Sequence, residues 1–82
     1  MKILYIGSVK FSALCLKATL RKKGNVIGVC TLKESRVNSD FFDLSPICKT
    51  NNIPFIYAND INSENTINWI ASLKPDIIFC FG

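Results

Sequence analysis

Apolar positions along this chain come in two kinds of run, and they alternate. Short continuous ones, "KILYI", "NVIGVCTL", "IPFIYA" and "DIIFCF", are rich in β-branched and aromatic residues. Runs that are apolar on both faces suit strands buried in a parallel sheet. Between them lie segments with helical spacing. Phe11, Leu14, Cys15 and Ala18 fall at i, i+3, i+4 and i+7, which predicts one apolar helix face. Ser8 is placed to cap that helix and Gly24 to end it as the C′ residue. A second, shorter helix starts at Ser45 as N-cap with Pro46 in the first turn. A third is capped by Asn62 or Ser63, turns Ile67, Ile70 and Ala71 inward, and ends at Pro75.

Four strands (2–6, 25–32, 53–58 and 76–81) alternating with three helices predict right-handed βαβ crossovers. The fold class is therefore α/β: a Rossmann-like, doubly wound parallel sheet in the order 3-2-1-4, the first half of such a fold. The polar stretch Lys33 to Asp40 reads as a loop, pinned to the core by Phe41 and Phe42. The switch point falls between strands one and four, so the Gly7-Ser8 turn and Gly82 are expected at one crevice. Strand four is then an edge with apolar faces wanting cover. Residues 1–82 thus read as the N-terminal portion of a larger domain.

Composition narrows the picture without deciding it. Of 82 residues 49% are hydrophobic and 20% charged, which is globular. No apolar run is long enough to span a bilayer, and the short run after Lys2 lacks a signal-peptide cleavage site. A cytoplasmic protein without a membrane partner is expected. A net charge of +4 admits nucleic acid or an anionic ligand. The dense cluster Arg21-Lys22-Lys23 falls at a helix end, where cations complement the dipole. Cys15, Cys30, Cys48 and Cys80 stand 15, 18 and 32 positions apart with no histidine in the chain. That spacing implies buried free thiols and no metal.

The candidate chemistry centres on "YIGSVKF", residues 5–11. The glycine spacing of a dinucleotide fingerprint is missing, and strand two ends in Thr31-Leu32-Lys33 rather than an acid. A phosphate loop and a receiver-type acidic pair are missing too. A helix N-terminus with free amides and one hydroxyl is left, suited to a phosphate or carboxylate. The alternative is that Gly7 only relieves the turn and Ser8 only caps.

Four stretches in order, "MKILYIGSVKFSALCLKATL", "GVCTLKES", "DLSPICKTNNIPFI" and "LKPDIIFCFG", resemble the start of the folate-dependent formyltransferases. The resemblance implies a 10-formyltetrahydrofolate-dependent N-formyltransferase, that folate being the formyl donor. It also implies that Gly7, Ser8 and Phe11 lie against the amine substrate, although Phe11 also suits the core. The folate pocket would begin at Phe81 and Gly82. The family's Asn-x-His pair and later Asp have no counterpart here, so no catalytic residue is assigned and these residues alone are expected to be inactive. The loop "KESRVNSD" has two cations, two anions and no glycine. It points to a small amine such as a nucleotide-linked amino sugar, with Met-tRNA second and nucleic acid disfavoured. A non-catalytic or sugar-nucleotide-binding α/β module stays open, as does oligomerisation through a C-terminal part.

Overall fold

The computed structural model describes residues 1–33 and 39–81. Its elements run β1 (Lys2–Ile6), α1 (Lys10–Arg21), β2 (Asn25–Thr31), α2 (Ser45–Thr50), β3 (Phe55–Tyr57), α3 (Glu64–Leu73) and β4 (Ile77–Cys80). All pairings are parallel and the sheet order is β3-β2-β1-β4, as the alternating pattern predicts. Strands are shorter than the apolar runs. Ile53 belongs to the core below β3, and Leu32 and Ala58 lie beyond the strand ends.

Register assigns the two faces. Ile3 pairs with Val26 and Ile77, and Tyr5 with Val29 and Phe79, so this set shares one face. Leu4, Gly28 and Ile78 share the other. β2 carries an extra residue, Ile27, because Ile3 opposes Val26 while Leu4 opposes Gly28. This bulge puts Val26 and Val29 on the same side, where Tyr5, Ala13, Leu16, Leu44 and Cys48 complete the core with α1 and α2. The opposite face belongs to α3. A methyl group on Gly28 would sit 2.6 Å from Leu73 Cδ1 and 3.0 Å from the Trp69 ring. Glycine at that point lets the helix lie close to the sheet.

The helices turn by a different set of residues from the one the spacing predicts. On α1 the buried positions are Ser12, Ala13 and Leu16, while Phe11 and Leu14 are 63% and 64% exposed. Ser12 is polar but buried because its Oγ accepts the Val9 N–H at 3.0 Å and donates to the Val9 carbonyl at 2.5 Å. The inward stripe is Ser12, Ala13 and Leu16, with Cys15 partly buried against the core as its spacing predicts and Phe11 outside it. On α3, Thr66 is buried and Ile67 is half exposed, so the inward stripe is again shifted.

Caps differ as well. Val9, not Ser8, is the N-cap of α1, and Leu44, not Ser45, is that of α2. Asp43 Oδ1 takes the Ser45 N–H at 2.8 Å in place of a side-chain cap. Ser63 caps α3 as predicted, accepting the Thr66 N–H at 3.3 Å. At the end of α1 the left-handed residue is Lys23 (φ 61°), with Gly24 one position later. Gly24 N–H bonds to the Thr19 carbonyl at 2.9 Å and Lys23 N–H to that of Leu20 at 3.0 Å, a Schellman closure. Gly24 is needed there for space, since a Cβ would meet Thr19 Cγ2 at 2.5 Å.

β4 is an open edge. Ile78 is 46% and Phe79 38% exposed, and Cys80 is exposed where a buried thiol was expected. Cys30 and Cys48 are buried, Cys15 is half-buried and all four thiols are free.

Candidate functional site

The strands of a parallel sheet all end on one rim, and the order reversal between β1 and β4 opens a gap there. A cleft of about 380 Å³ occupies that gap. Ile6 and Cys80, the last residues of β1 and β4, line it with Cys30 near the end of β2. Gly7 and Ser8 line one side, with Leu32 and Phe41, and the segment Asn59 to Ile61 lines another. Phe81 also borders it. The Gly7-Ser8 turn lies next to the end of β4: a Cβ on Gly7 would stand 3.4 Å from that of Phe81. Gly82 lies outside the described residues.

The turn does not present the open row of amides that its sequence suggests. Gly7 N–H donates to the Cys30 carbonyl at 3.0 Å and Lys10 N–H to that of Asp40 at 2.9 Å. Val9 N–H is held by Ser12 Oγ. The Ser8 hydroxyl is engaged too, with Leu32 N–H at 2.5 Å and Thr31 Oγ1 at 3.1 Å. Gly7 has no positive φ, so its small size, not its backbone freedom, is what the turn uses.

Phe11 is not among the cleft's described lining residues. It stands at the flank, its ring edge-on to Phe81 at 5.7 Å. The Phe81 ring in turn stacks on Tyr5, with centroids 5.7 Å apart and planes at 23°. Its N–H donates to the Ile6 carbonyl at 2.8 Å. With its ring engaged, Phe81 borders the cleft beside the end of β4. Pairs of this kind contribute about 0.5–1.5 kcal/mol beyond area burial.

The cleft's chemistry is quiet. No described lining residue is basic. Asp60 supplies a carboxylate, whose Oδ1 accepts the Asn62 N–H at 2.9 Å. Burial pushes the Cys30 thiol up to about 11, so it is a poor nucleophile at neutral pH. The described residues contain no cluster able to hold a metal ion. No described helix is long and apolar enough to cross a membrane. Among the described lining residues Asp60 is the one ionisable carboxylate and Asn59 the one side-chain amide.

Sequence reasoning passed over Thr31, Phe41 and Asn59 to Ile61. A signal for Thr31 existed: it is the hydroxyl that closes an apolar strand at the ligand rim. Phe41 was assigned to the core, yet it is half-buried beside the cleft and paired by a backbone bridge to Val9.

No family model matches the chain. It is 27% identical over 82 residues to the methionyl-tRNA formyltransferases of Thermotoga sp. (strain RQ2) and Thermotoga maritima. It is 28% identical to the protein of the same name from Alkaliphilus oremlandii. Each match covers 95% of this chain and 26% of the relative. The chain thus spans about a quarter of the length of the curated relatives it matches. This similarity supports a formyltransferase relationship.

Proposed function

We propose that these residues form the opening part of a folate-dependent formyltransferase, which moves a formyl group from 10-formyltetrahydrofolate to an amine. The observation that carries this reading is the similarity to formyltransferases along 95% of the chain. The cleft at the switch point is consistent with it. The backbone of Gly7 and Ser8 would face the amine substrate, with Phe11 at the flank. The folate pocket would begin at Phe81 and Gly82. The Phe81 backbone, held by the Ile6 carbonyl, fits that role as a wall. Transfer needs a base for the amine proton and donors for the developing oxyanion. The described cleft offers the Asp60 carboxylate, the Asn59 amide and two hydroxyls already bonded to each other, and in this reading the segment orients substrate.

For the amine, the balanced loop "KESRVNSD" supports a small nucleotide-linked amino sugar. Met-tRNA is the second reading, favoured by what the three relatives are called. The two differ in salt dependence, because neutralising each duplex phosphate contributes a slope of about −0.9. The test expresses the full reading frame containing these residues and follows formyl transfer to both amines by mass spectrometry. Transfer to the amino sugar with a shallow salt dependence is expected. Charge reversal at Lys33 or Arg36 should then change kcat/KM by less than about tenfold, roughly 1.4 kcal/mol. Efficient, steeply salt-dependent formylation of Met-tRNA would replace the small amine with the second reading. Absence of transfer to either would overturn the formyltransferase proposal. The 82-residue chain alone should be inactive.

A further inference from the structure

Thr31 ends an apolar strand with a hydroxyl that is only 2% exposed. A buried hydroxyl needs partners, and this one has two. It lies 3.1 Å from Ser8 Oγ, and it accepts the Leu44 N–H at 3.2 Å. Ser8 then joins both ends of the β2–α2 connection. Its Oγ accepts the Leu32 N–H where the connection leaves β2, and its carbonyl accepts the Phe42 N–H at 2.8 Å where it returns. Next to these, Lys10 N–H reaches the Asp40 carbonyl, and Val9 bridges Phe41. Two hydroxyls on β1–α1 and β2 thus tie down the entry and the exit of one connection. Leu32 and Phe41, at those two ends, both line the cleft.

We infer that Ser8 and Thr31 are positioning residues: their paired hydroxyls hold Leu32 and Leu44, the two ends of the connection whose Leu32 and Phe41 form the wall against which the amine substrate is oriented. This rests on the formyl-transfer reading and deepens it. The hydroxyl pair acts through that wall, whereas the Phe81 side of the cleft is held separately, by the Ile6 carbonyl and the Tyr5 ring. A looser wall therefore disturbs the amine and spares the formyl donor. Loosening the wall weakens the hold on the bound amine, and a rise of about tenfold in its KM is expected.

The experiment uses the full encoded protein and three variants, Ser8→Ala, Thr31→Val and Ser8→Thr. Amide hydrogen exchange reads the tie directly. Ser8→Ala should lose protection at Leu32, and Thr31→Val at Leu44, each by about tenfold or more, as loss of one hydrogen bond implies. Ser8→Thr, which keeps the hydroxyl, should restore Leu32. In steady-state assays the first two should raise KM for the amine about tenfold and leave KM for 10-formyltetrahydrofolate within about twofold. Unchanged protection would show that the tie does not exist. Lost protection with an unchanged amine KM, or with both KM values raised equally, would reduce the hydroxyls to structural groups. No formyl transfer by the unaltered protein would overturn the underlying reading and the positioning role with it, while the exchange data would still decide the tie.

Discussion

Gly7→Ala adds one methyl group to a buried turn, and the structure says what that methyl would meet. Its nearest neighbours are Ser12 Cβ at 2.7 Å and Ser12 Oγ at 2.9 Å. A Cβ moves only with its backbone, and Ser12 is fully buried with its hydroxyl bonded to both ends of Val9. The first turn of α1 must shift. Overpacking of this kind costs about 1–3 kcal/mol. Against that stands a gain of about 0.4–1 kcal/mol, because alanine restricts the unfolded chain and Gly7 needs no positive φ. The net loss is about 1–2 kcal/mol, which for a domain of this size lowers Tm by roughly 4–16 °C. Gly28→Ala has a closer contact, 2.6 Å, but to Leu73 Cδ1, the far end of a partly exposed side chain that can rotate away. It should cost less. A bulkier Gly7→Val compounds the clash, so it should unfold the turn instead of merely blocking the crevice. Thermal melts followed by circular dichroism measure each variant, and a cycle with Ser12→Gly isolates the contact. The double variant should be more stable than the two single losses predict, by about 1 kcal/mol or more. A Gly7→Ala melt within about 2 °C of the unaltered protein, or strict additivity in the cycle, would refute the steric reasoning.

Three further outcomes are expected. The open β4 edge, with Ile78 and Phe79 exposed, should make the 82-residue chain self-associate, and Phe79→Lys should shift it toward monomer in sedimentation; a monodisperse monomer before substitution would count against this. Cys30 and Cys48 both have thiols pushed up to about 11, Cys30 by burial and Cys48 by burial and then Asp43. Thiols of the unfolded chain ionise first, so stability is present below pH 9.0 and declines as pH rises toward about 11; Cys30→Ser should flatten that decline in urea titrations. Finally, Ser63→Ala should cost α3 about 1 kcal/mol through its cap, measurable as a lower urea midpoint, whereas Ser8→Ala should lose no helix cap.

Sheet order and element sequence were legible because alternation of runs is a strong signal and the handedness of crossovers leaves few choices. The location of the cleft followed from that order. What could not be read was which side of each helix faces inward. On α1 the apolar set Phe11, Leu14, Cys15 and Ala18 competes with Ala13, Leu16 and Leu20, and packing against the sheet, which no hydropathy pattern records, chooses between them; Ser12 can lie inside because Val9 satisfies its hydroxyl. Ser8 was misread for a related reason. Position suggested a cap, but a partner 24 residues away, Leu32, takes its Oγ. Long-range polar pairing of this kind is decided by tertiary structure.

The irregularity in β2 bears on how this chain can change length. Taking Ile27 out would leave Ile3 opposite Val26, Leu4 opposite Gly28 and Tyr5 opposite Val29, with strict alternation restored. Removing Val29 instead would turn every later residue of the strand over, sending Cys30 toward α1 and α2 and Thr31 away from Ser8. A one-residue deletion is therefore survivable at one point of the strand and ruinous two positions on. Among homologues, gaps in this strand should collect at position 27, where the sheet carries a residue it does not need for pairing.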